Sequence, residues 1–115
     1  MKDIYFFLNE SFVTNKYIDI FDLKSFDVRE DNKSLVLVDI EVKTSGKNNG
    51  VNAILELTNY ADRVNKIVLL TPDPRRNPDG KKISKVKLIQ YYKNLGFIVN
   101  DNDKYHYEMI RYPKN

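Results

Sequence analysis

Residues 34–71 read SLVLVDIEV (34–42), KTSGKNNG (43–50), VNAILELTNYADRV (51–64) and, after Asn65, KIVLLT (66–71), and the order of these pieces decides the fold. The first is a strand. Leu35, Val36, Leu37 and Val38 form a continuous apolar run, and Asp39, Ile40, Glu41 and Val42 alternate. The continuous part suits a strand buried on two faces, and the alternating tail suits one that emerges at a site. Residues 44–50 are rich in Gly, Asn and Ser, which tolerate turns and positive φ. The period then becomes that of a helix over 51–64, with Ile54, Leu57, Ala61 and Val64 on one stripe widened by Val51 and Leu55. Ile67, Val68, Leu69 and Leu70 carry a second buried strand. Strand, Gly-rich turn, helix and strand make a βαβ unit with parallel strands. Its turn lies at the carboxyl edge of the sheet, where open α/β sheets bind ligands and where a helix N-terminus offers unpaired N–H groups to an anion.

Outward from this unit the signals are shorter. Residues 72–82 hold three of the four prolines, Gly80, Arg75, Arg76, Lys81 and Lys82, and read as a long surface loop. Ser84 stands where an N-cap belongs, before a helix running to about Leu95, with Leu88, Tyr91, Tyr92 and Leu95 on one stripe and Gly96 at its end. Residues 97–99 and 105–112 read as two strands joined by an Asn/Asp turn at 100–104. On the N-terminal side, residues 4–8 are β-prone. Tyr17, Ile18, Ile20, Phe21 and Leu23 suggest a second strand or a short irregular element, and no helical period is evident between Leu8 and Ser34. No repeat or linker divides the chain, so residues 1–115 are expected to form one domain.

Composition narrows the chemistry. The chain has 115 residues, 42% of them hydrophobic, which suffices for one core but not for a separate substrate domain. The absence of cysteine excludes disulfides, thiolate metal sites and cysteine nucleophiles, and the single histidine, His106, cannot build a His-rich metal site; no metal is expected. No apolar run approaches the roughly 20 residues that cross a bilayer, and the N-terminus lacks a signal-peptide pattern, so no membrane partner and a cytoplasmic location are expected. The formal charge of +3 suits a polyanionic cofactor, weak contact with nucleic acid or an ordinary Lys-rich surface. Tyrosines and lysines interleave at 91–93 and 104–107, but no RNP-like or helix-turn-helix signature accompanies them, which weighs against nucleic acid.

Within this framework Tyr91–Tyr92–Lys93–Asn94–Leu95–Gly96–Phe97 resembles the aromatic–Tyr–x–x–x–Gly–Phe segment that ends the last helix of the GNAT superfamily of N-acetyltransferases. The order of elements from residue 34 to 112 is similar to the C-terminal two-thirds of that family, and the residue bias is compatible with a small phage or bacterial member. The resemblance implies an α/β fold with a GNAT-like mixed central sheet and a βαβ cofactor unit. The N-terminal region is trimmed, since two helices usually follow the family's first strand. It also implies an acetyltransferase (acyltransferase) moving acetyl from acetyl-CoA to an amine of a small molecule, peptide or protein.

The resemblance assigns sites residue by residue. The family's phosphate loop, Gln/Arg-x-x-Gly-x-Gly/Ala, falls on Ser45, Asn48 and Gly50, so only the last Gly is retained; the turn Gly46, Lys47, Asn48, Asn49 and Gly50 would cradle a pyrophosphate through main-chain N–H groups. Lys47 could replace the absent Arg only as a point charge. Backbone N–H groups near Ile40 to Val42 would hold the acetyl carbonyl, and Lys85 with the basic loop could reach the CoA 3′-phosphate. Tyr92 matches the tyrosine that protonates the departing sulfur, while Tyr91 matches no chemical role and would be the packing control; the plainer reading of Tyr92 is a core aromatic beside Leu88 and Leu95. Glu41, and less directly Asp39, could take the proton of the amine, or be solvated carboxylates at a strand end. The altered phosphate loop keeps a second class open, a catalytically inactive GNAT-like domain that binds CoA or a protein partner.

Overall fold

The computed structural model describes residues 11–44, 46–74, 83–102 and 104–114. These form a mixed α/β fold: a five-stranded sheet and three helices. In chain order they are α1 (Asn15–Ile20), β1 (Leu23–Glu30), β2 (Ser34–Val42), α2 (Asn49–Val64), β3 (Ile67–Leu70), α3 (Lys85–Asn94), β4 (Ile98–Val99) and β5 (Met109–Arg111). The strand order is β1-β2-β3-β5-β4, with β2 and β3 parallel and every other neighbouring pair antiparallel. The βαβ unit expected from residues 34–71 is therefore present, α2 making the crossover.

The N-terminal reading is corrected. Residues 15–20 are a short helix rather than a strand or an irregular element, and Leu23–Glu30 is a full strand hairpinned to β2. The β-prone run at 4–8 lies outside the described residues. Asp31 shapes the hairpin turn: its carboxylate accepts from the backbone N–H groups of Lys33 and Ser34, both at 2.8 Å. Stacked rings of Phe12, Tyr17 and Phe21 hold α1, which is too short to be stable on local propensity. The expected strand over 105–112 shrinks to Met109–Arg111. The Asn100 side-chain amide donates to the carbonyls of Tyr105 and Tyr107, giving that backbone a partner other than a ladder.

Two irregularities in the β1–β2 register position the site. Asp27 pairs with Asp39 and Val28 with Leu37, so Val38 is an extra residue on β2; Leu23 pairs with Val42 and Ser25 with Glu41, so Lys24 is an extra residue on β1. Each is a β-bulge, a device that bends a strand and frequently sits beside a binding site.

The core gathers Leu35, Leu37, Ile54, Leu57, Val68, Leu70, Phe97 and Met109 between helices and sheet. Glu30 fastens its edge, accepting from Lys66 Nζ (2.8 Å), the Tyr60 hydroxyl (2.5 Å) and the Phe12 N–H (2.9 Å). Burial alone would raise the Glu30 pKa, but these donors outweigh it and hold the carboxyl below its ordinary value. At the other end Asp62 pairs bidentately with Arg111 (2.9 and 3.0 Å), whose side chain is 6% exposed. That pair and the Lys114 N–H lower the Asp62 pKa despite partial burial. Gly96, at φ +97°, ends the turn after α3, and a Cβ there would lie 3.3 Å from Arg111 Nε.

Candidate active-site cleft

The parallel ladder of β2 with β3 covers only Ser34 to Val36 against Ile67 to Leu69. Beyond it, residues 37–42 keep β1 on one side and, among the described residues, have no strand on the other. The alternate peptide groups that point away from β1 there have no ladder to join. A cleft of about 890 Å³ opens along this departure, walled by residues 37–44 on one side, by Thr71, Asp73, Leu88, Tyr91 and Tyr92 on the other, and at its end by the first turn of α2. Both bulge residues, Val38 and Lys24, line it.

At the α2 end Gly46 (φ +83°) and Asn48 (φ +58°) take the left-handed conformation that this turn was expected to need. The Asn48 side chain makes no capping hydrogen bond and the first turn holds no acidic residue, so among the described residues the opening N–H groups carry no side-chain cap. Gly46, Asn48, Asn49 and Gly50 all line the cleft. Gly50 is tight: a Cβ there would lie 3.3 Å from Val42 Cγ1 and 3.9 Å from the Tyr91 hydroxyl oxygen.

Two of the expected cofactor residues, Lys47 and Lys85, stand elsewhere. Ser45 lies outside the described residues, as do Arg75, Arg76, Lys81 and Lys82. Lys47 is exposed and does not line the cleft. Lys85 also stands away from it, in an ion pair with Glu108 at 2.7 Å. The lysines that do line it are Lys24, Lys43 and Lys87.

Ile40 and Val42 are cleft residues whose Cα partners on β1 are Phe26 and Leu23. Asp39 and Glu41 alternate with them on β2, opposite Asp27 and Ser25, and also line the cleft. Asp39 accepts from the Ser25 hydroxyl at 2.6 Å, and Glu41 lies 3.7 Å from Lys24 Nζ. Tyr92 is 7% exposed, packs edge-on against Tyr91 and Phe97, and still lines the cleft. Its hydroxyl has no hydrogen-bond partner among the described residues. Burial, with Tyr91 and Asp73 adding, raises its pKa far above the ordinary tyrosine value, so it stays protonated at neutral pH. Tyr91 lines the same cleft half-buried, its pKa pushed by burial up to about 12.

No family model matches the chain, and no curated protein sequence matches it. Its fold is similar to that of the crystal structure of anti-CRISPR protein AcrVA5, with a TM-score of 0.60 and 20% sequence identity over 74% of this chain and 85% of that one. That likeness is one of fold.

Sequence reading missed Lys24, Val38, Asp73, Lys87 and Tyr91 as cleft residues. The bulges are set by pairing between strands and leave no periodic mark, whereas Tyr91 was visible as the neighbour of Tyr92. No helix of the described residues is long and apolar enough to cross a membrane, and no group of three His, Asp or Glu side chains among them is placed to hold a metal.

Proposed function

We propose that the chain is an N-acetyltransferase of the GNAT type that transfers acetyl from acetyl-CoA to an amine. The supporting observation is the cleft itself. Strand β2 bulges, leaves its parallel neighbour and leads to a helix N-terminus that Asn48 does not cap, while the Tyr92 hydroxyl, without a hydrogen-bond partner among the described residues, lines the same space. The parallel pair β2–β3 with antiparallel strands on both sides also fits the mixed central sheet of that fold.

The residues present fit the cofactor. A cleft near 890 Å³ is of the size that holds extended small molecules, and Gly50 is among the residues that line it. When bound, acetyl-CoA supplies an acyl group already activated as a thioester. Gly46, Asn48, Asn49 and Gly50 hold phosphate through main-chain N–H groups. The peptide groups of residues 37–42 that lack a ladder orient a carbonyl. Glu41, beside Asp39, accepts the proton of the amine, and Tyr92 keeps a donatable proton at Oη.

A second reading is a non-catalytic CoA-binding or protein-interaction module. It is favoured by Ser45 and Asn48 standing where the family has a cationic or amide donor and a glycine. Titration calorimetry with acetyl-CoA, followed by a thiol-release assay with polyamines and lysine peptides, separates the two. Because the fold neighbour is an anti-CRISPR protein, proteins of CRISPR systems belong among the acceptors assayed. Binding with acceptor-dependent thiol release supports the enzyme, binding without release supports the module, and no binding at millimolar cofactor removes both CoA readings.

A further inference from the structure

The phosphate turn has Ser45 where the family resembled has Gln or Arg, and Lys47, expected to replace that donor as a point charge, does not line the cleft. What the structure puts beside the turn instead comes from α3. The Tyr91 hydroxyl oxygen lies 3.9 Å from the point where a Cβ on Gly50 would sit, in the first turn of α2. Among the described residues this hydroxyl has no hydrogen-bond partner, although the ring is half-buried and lines the cleft.

Packing accounts for the ring, which sits edge-on to Tyr92 at 5.2 Å between centroids and is thereby held in place. It does not account for the oxygen, since phenylalanine would fill the same space and leave no polar atom to satisfy. The hydroxyl stays protonated at neutral pH and lies beside the first turn of α2, where main-chain N–H groups favour an anion.

We infer that Tyr91 is a positioning residue for the diphosphate of the cofactor, supplying from α3 the hydrogen bond that the altered phosphate turn lacks. This rests on the CoA reading above. Diphosphate is specified rather than the 3′-phosphate because the Tyr91 oxygen stands beside Gly50 at the opening turn of α2, the turn that the proposed function gives to the diphosphate.

The test is calorimetric titration of the wild-type chain and Tyr91→Phe with CoA, 3′-dephospho-CoA and pantetheine. A hydrogen bond to a charged group carries roughly a tenfold or larger effect. Tyr91→Phe should therefore weaken CoA and dephospho-CoA by about tenfold and leave pantetheine unchanged. In turnover the Michaelis constant for acetyl-CoA should rise while the turnover number stays, the split that a purely structural role does not produce. Melting by circular dichroism verifies that the isosteric variant folds. Equal CoA binding by variant and wild type overturns the inference and leaves the CoA reading intact. A loss for CoA but not for dephospho-CoA also overturns it, assigning the hydroxyl to the 3′-phosphate. No CoA binding by the wild type overturns both.

Discussion

Gly50→Asp separates the fold from the site, because the two respond with opposite sign. Gly50 is the second residue of α2 and carries no positive φ, so the backbone does not require glycine there. An added Cβ meets Val42 Cγ1 at 3.3 Å, a contact that a shift of a few tenths of an ångström relieves. Against that cost, exchanging glycine for aspartate gains about 0.3 kcal/mol of helix propensity, and a carboxylate in the first turn gains roughly 0.3–1 kcal/mol from the helix dipole. Stability should change by less than about 1 kcal/mol, a melting shift of roughly 5 °C or less. The ligand feels the reverse. A carboxylate about 6 Å from a phosphate charge, at an effective dielectric near 20, is repelled by roughly 3 kcal/mol before salt screening, and about tenfold weaker CoA binding survives a generous discount. Calorimetric titration with CoA beside a thermal melt reads both quantities. Loss of folding in step with affinity, or unchanged affinity in a folded variant, would refute the reasoning.

Tyr92→Phe keeps the ring against Tyr91 and Phe97 but removes the proton at Oη, so the turnover number should fall about tenfold or more with the Michaelis constant for acetyl-CoA and the melting temperature nearly unchanged. Gly96→Ala places a side chain at φ +97° and 3.3 Å from Arg111 Nε, and should cost about 2 kcal/mol, roughly 8 °C in a thermal melt. Glu30, Asp31 and Asp62 have folded-state pKa values below their unfolded ones. Their contribution is therefore complete above about pH 5 and lost as pH falls through the folded values, and a pH series of melts should be flat near neutrality and drop below about pH 4. In the same series Glu30→Gln should flatten that drop.

The central βαβ unit was legible because each piece has one dominant period: β2 and β3 are apolar runs, and α2 keeps Ile54, Leu57 and Ala61 on its buried stripe. Ser84 was legible as a cap, and its hydroxyl does accept the Lys87 N–H at 3.2 Å. Strand β1 was not. The bulge at Lys24 puts Leu23 and Phe26, both buried, three residues apart, which breaks the alternation by which a half-buried strand is recognised. Helix α1 has no buried residue of its own and owes its place to rings on Phe12 and Phe21 outside it, so no internal period could mark it. In the site, the glycine and asparagine turn followed from residue type, since Gly46 and Asn48 adopt positive φ without strain. Which lysines face the cleft did not, because exposed long side chains carry no periodic signal and Lys85 is drawn aside by Glu108.

The central claim, that this cleft takes acetyl-CoA, is tested most directly by amide chemical-shift mapping of the ¹⁵N-labelled chain during titration with CoA. The account predicts saturable shifts along residues 37–42, through Gly46 and Asn48 to Val51, and at Tyr91 and Tyr92, with little change at the exposed edge strand Ile98–Val99. Absence of shifts at millimolar CoA, or shifts gathered on exposed lysines away from these residues and lost with added salt, would contradict it.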